Sequence, residues 1–120
     1  MISVITRQYG LKDDSTEVTN ICININGYLV SIGVAKSHYC SPRTFQGMNP
    51  ERSKVEVCVI NQSSEYITSD VFDNALNPTE VGKHLFEDDN VVGWVETSDL
   101  IKVLAYVKGM SMLQRNKNDA

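Results

Sequence analysis

The sequence predicts an α+β domain: a mostly antiparallel sheet that starts from an N-terminal Asn-Gly hairpin, with one C-terminal helix packed on it. Two observations carry this. Residues 16–26 and 28–36 alternate apolar and polar side chains on either side of Asn26-Gly27, the pair that most readily adopts the positive φ angles of a type I′ turn. Near the other end, Leu100, Val103, Leu104 and Val107 recur at i, i+3, i+4 and i+7, the spacing of one helix face.

Ile2 to Thr6 reads as a short strand, and Gly10 to Ser15 as a polar turn. A two-residue turn at Asn26-Gly27 pairs Ile25 with Tyr28, Ile23 with Val30 and Ile21 with Ile32. Because side chains alternate faces along a strand, Ile21, Ile23, Ile25, Tyr28, Val30, Ile32 and Val34 then share one apolar face, and Asn20, Cys22, Asn24, Leu29, Ser31 and Gly33 the other. Residues 37–54 hold Pro42, Gly47 and Pro50 and read as a long irregular connection. Val55, Val57 and Val59 alternate in a strand at 54–61, with residues 65–71 as a candidate hairpin partner. Asn77-Pro78-Thr79-Glu80 has the chemistry of a helix start, although the segment 73–90 is otherwise ambiguous. Residues 91–96 read as the last strand, with Trp94 between two valines expected in the core. Thr97 can cap the final helix, with Ser98 and Asp99 in its first turn. Gly109 is one stopping point for it, and continuation through Met112 and Leu113 is the other. The whole chain, 1–120, reads as a single domain with 109–120 as a partly frayed tail.

Composition narrows the function. Apolar residues make up 42% of the chain and charged residues 22%, which excludes wholesale disorder. A net charge of −4 speaks against general nucleic-acid binding, which relies on a broad positive surface. The densest acidic run, Glu87-Asp88-Asp89, reads as a solvated loop. Cys22, Cys40 and Cys58 are odd in number and widely spaced, so a disulfide framework is not expected and a reducing, cytoplasmic setting is. MISVITRQYG lacks the pattern of a signal peptide, and no stretch approaches the ~20 apolar residues of a membrane span.

The most unusual stretch is KSHYCSPR, residues 36–43. Lys36, Arg43, Arg52 and Lys54 against Glu51 leave 36–54 at +3 within a chain of −4, and hence the remainder at −7. Arg43 offers a planar fork for phosphate or carboxylate, Lys36 and Ser41 add donors, Tyr39 can stack on a base, and His38 gains charge below about pH 6.5. These five residues form the candidate site for a small anionic ligand or for an acidic patch on a host protein. The competing reading is a long loop whose cations are simply solvated.

Catalysis by Cys40 with His38 or His84 needs a base within reach of a thiol of lowered pKa, and His-x-Cys alone does not specify that. No paired Cys-x-x-Cys or His-x-x-x-His stands in the chain, and neither G-x-G-x-x-G nor a P-loop does. No metal, cofactor or enzymatic activity is therefore expected.

His38-Tyr39-Cys40-Ser41-Pro42-Arg43, then Val55-Glu56-Val57, then Asp88-Asp89-Asn90-Val91-Val92-Gly93-Trp94-Val95 and a closing helix resemble small uncharacterised proteins of bacteriophages and mobile elements. The likeness covers about residues 18–108, and HYCSPR is its most specific part. It brings no established activity, so no functional residues carry over. What it implies is context: a viral accessory protein in the host bacterial cytoplasm, countering defence by sequestering a signalling nucleotide or by blocking a defence protein. The ligand-binding reading also allows a homo-oligomer. A small Cys/His enzyme is the third reading.

Overall fold

The structure, a computed structural model, describes residues 2–10, 16–34, 40, 53–76, 85–88 and 90–119. The Asn-Gly hairpin is its organising element. Asn26 and Gly27 have φ angles of 51° and 93°, the signature of the type I′ turn, and the Gly27 N–H donates to Asn24 Oδ1 at 3.0 Å. The turn joins β2 (Thr16–Ile25) to β3 (Tyr28–Gly33). Their register is the expected one, Ile25 with Tyr28, Ile23 with Val30 and Ile21 with Ile32.

Around this hairpin the remaining strands complete a six-stranded sheet, antiparallel at every pairing: β1 (Ile2–Gly10), β4 (Lys54–Ile60), β5 (Leu85–Asp88) and β6 (Val91–Glu96), in the order β1-β2-β3-β4-β6-β5. β1 is longer than its apolar residues indicate. It continues to Gly10 through a bulge between Arg7 and Gln8, because backbone pairing with β2 carries polar residues along.

Two expectations fail in the middle of the chain. Residues 65–71 are not a strand. Tyr66 makes a single bridge to Ile60, and α1 (Thr68–Ala75) follows at once. The Asn61 side chain sets this up by accepting the N–H groups of Ser63 and Glu65, each at 2.9 Å. The helix lacks a side-chain cap at Ile67 and is held by packing instead: Val71 and Phe72 are completely enclosed. The acidic run is not wholly a loop either, since Glu87 and Asp88 end the edge strand β5, which pairs with β6. Charge on an edge strand is one way of discouraging further pairing. The helix-start signal at 77–80 lies outside the described residues.

The C-terminal helix, α2 (Thr97–Asp119), starts directly after β6 and runs through Gly109. Val103 and Val107 are fully buried and Leu100 and Leu104 partly so, as the stripe requires. Val30, Val57, Val59, Val92 and Val95 from the sheet meet Val71 and Phe72 of α1 and Val103 and Val107 of α2 in one core. Thr68 pins the helical layer to the strands. Its hydroxyl accepts the Val59 N–H at 2.9 Å and donates to the Asn90 carbonyl at 2.6 Å, bridging β4 and the start of β6 where their ladder ends.

Candidate functional site

β3 and β4 are antiparallel neighbours, with Gly33 opposite Glu56 and Ile32 opposite Val57. Two to five residues suffice to join such a pair. The chain uses residues 34–53, and this surplus carries the basic residues of the candidate site. Lys36, His38, Tyr39, Ser41 and Arg43 lie outside the described residues. The described residues of the connection are buried: Val34 and Cys40 are each 2% exposed, and Ser53 is nearly as enclosed. A thiol this enclosed has the character of a packed side chain, whereas reactive cysteines sit in partly exposed, electropositive surroundings.

One more residue stands close to the return of the connection. Lys54 pairs with Glu96 and Val55 with Val95, but Val57 pairs with Val92, so Glu56 alone faces both Gly93 and Trp94. This bulge lets Val92 and Val95, three apart, both point into the core. Trp94 has a φ of 51° and turns outward, 39% exposed. The expectation of a core tryptophan is thus corrected: the indole stands outside the core, on the strand stretch opposite Glu56. The signal was the glycine before it, since a lone Gly inside a strand pattern marks a bulge.

On the sheet face away from the core, Asn20 Nδ2 donates to Ser31 Oγ at 3.0 Å, and Cys22 Sγ lies 4.0 Å from the same oxygen. Ser31 stands opposite both Cys22 and Cys58. These two cysteines are two strands apart, roughly 10 Å between Cα atoms, beyond the ~7 Å reach of a disulfide. None of the three cysteines forms a disulfide. Among the described residues no three His, Cys, Asp or Glu side chains converge as a metal site, and no helix is long and apolar enough to cross a membrane. A shallow depression of about 270 Å³ is lined by Tyr66, Ile67, Ser69 and Asp70. Its one charged group is a carboxylate, the wrong sign for an anion.

Compared with protein-family models, curated proteins and solved structures, the chain has no significant match.

Proposed function

We propose that this protein is a non-enzymatic binding protein that holds a small anionic molecule, such as a signalling nucleotide, on the connection between β3 and β4. Lys36, His38, Ser41 and Arg43 supply the donors and Tyr39 a stacking surface. The observation that carries this reading is the length and charge of that connection. Neighbouring strands need no twenty-residue link, and links much longer than closure requires are commonly functional. This one holds a net positive charge inside an acidic chain. Retaining a phosphate group requires charge-assisted hydrogen bonds and no acid–base pair. In the setting of a phage accessory protein, such binding would withdraw a defence signal from the host.

Native mass spectrometry of protein freshly purified from bacteria, followed by denaturation and analysis of what is released, tests the reading. A bound phosphate compound, absent from an Arg43→Ala variant with unchanged circular dichroism, is the expected result. A ligand retained in full by that variant would move the site away from this loop. Co-purification with a host protein, together with indifference to added nucleotides, would replace small-molecule binding by inhibition of a protein target.

A further inference from the structure

The two edges of the sheet differ. β5 is four residues long and ends in Glu87-Asp88, a short and charged edge of the kind that resists pairing. β1 opens with Ile2-Ser3-Val4-Ile5-Thr6, five residues without charge, proline or glycine, four of them β-branched and apt for strands. Ile2, Val4 and Ile5 are 54%, 59% and 59% exposed. Ile2 and Val4 stand opposite Ile25 and Ile23, on the side of the sheet that carries the helices, yet the helical layer leaves them open.

The direction of the peptide groups follows from the hairpin. The pair flanking a two-residue turn, Ile25 and Tyr28, exchanges both of its hydrogen bonds, so odd-numbered residues of β2 address β3 and even-numbered ones address β1. The Val34 N–H donating to the Thr19 carbonyl at 3.0 Å agrees. Asn24, Cys22 and Asn20 therefore bond Ser3, Ile5 and Arg7, their partners in the register. The peptide groups of Ile2, Val4 and Thr6 point outward, and among the described residues no strand lies beyond them.

We infer that this edge is the contact by which the protein forms a two-fold dimer, β1 against β1 of a second copy. An antiparallel pair with its axis at Val4 places Ile2 opposite Thr6 of the second copy, Val4 opposite Val4, and Ser3 opposite Ile5. It uses all three outward residues on both chains and ends before the bulge at Arg7 and Gln8. No charge meets a like charge. Such a contact is isologous and closes after two copies. The strand pair alone is smaller than the ~800 Å² per partner of a standard interface. The apolar side chains of Ile2 and Val4 enlarge it. Met112 and Leu113, also exposed, follow Ser111, which the Asn26 side chain ties to the hairpin turn by a donated hydrogen bond of 3.1 Å. The dimer is reversible and independent of what the β3–β4 connection binds.

Sedimentation velocity across a concentration series tests the pairing on the full chain. The wild type shifts with concentration from 13.4 kDa toward twice that mass. Val4→Pro removes an outward N–H, a change that edge strands tolerate, and Val4→Lys places a charge on the edge. Both variants stay at the monomer mass with an unchanged circular dichroism spectrum. In the wild type, amide exchange at Val4 slows as the dimer forms. A wild type that stays at the monomer mass throughout, or a dimer that persists in folded Val4→Lys, overturns the inference. So does β1 pairing with another protein in place of a second copy.

Discussion

Thr68→Val isolates one buried hydroxyl. Valine is nearly isosteric with threonine, so the shape of the core is retained and its apolarity rises. The side chain of Thr68 is fully buried, as is Val59, whose N–H it accepts at 2.9 Å, and the same hydroxyl donates to the Asn90 carbonyl at 2.6 Å. Valine removes the acceptor from a buried peptide N–H and the donor from that carbonyl. A buried polar group left without its partner costs about 1–3 kcal/mol, so losing the hydroxyl destabilises the fold by about 2–3 kcal/mol after allowing for the added methyl. Thr68→Ser keeps the hydroxyl and loses one enclosed methyl, which costs about 1 kcal/mol. Equilibrium urea unfolding, followed by circular dichroism, separates the two. With a slope of roughly 1.5 kcal/mol per M for a chain of this size, the midpoint falls by about 1.3–2 M for valine and by less than about 1 M for serine. If valine unfolds at the wild-type midpoint or above it, or if serine is the more damaging substitution, the hydroxyl is not the tie between the helical layer and the strands.

Two glycines give opposite results. Gly27→Ala destabilises by about 1–2 kcal/mol, since φ is +93° and an L side chain is strained there. The added Cβ also meets Gln62 Cγ at 2.9 Å, displacing a side chain whose Nε2 donates to the Asn26 carbonyl. Gly109→Ala stabilises by up to ~1 kcal/mol, because the glycine sits within a helix, is exposed and has nothing within 4 Å of the new methyl. Thermal unfolding of both variants reads the signs, and a lowered midpoint for Gly109→Ala would mean that the helix ends there. The single tryptophan reports on the bulge: native fluorescence is quenched by acrylamide to an intermediate degree, short of that in urea, as its 39% exposure requires, whereas a strongly protected emission would return Trp94 to the core.

The parts legible in the residues are those where neighbours in sequence settle the structure. Asn26-Gly27 and the alternation around it specify the turn, the register and the faces together, because a two-residue turn allows one pairing and side chains alternate strictly. The stripe from Leu100 to Val107 marks α2 in the same way. The basic connection of the candidate site is visible from charge alone.

Other features depend on segments distant in the chain. Residues 65–71 carry short patterns that suit a strand or a helix, and the packing of Val71 and Phe72 against strands and α2 selects the helix. Leu85–Asp88 becomes a strand because β6 offers it a ladder, and Trp94 leaves the core because Val92 and Val95 must both enter it across a bulge. That β3 and β4 lie side by side, which makes the link between them longer than closure needs, is a fact of sheet order. So is the position of β1 at one edge of the sheet. Local periodicity records which face of an element is apolar. Which element covers that face, and which edge stays open, follows from long-range pairing and burial, where the free energy belongs to pairs of segments and to neither one alone.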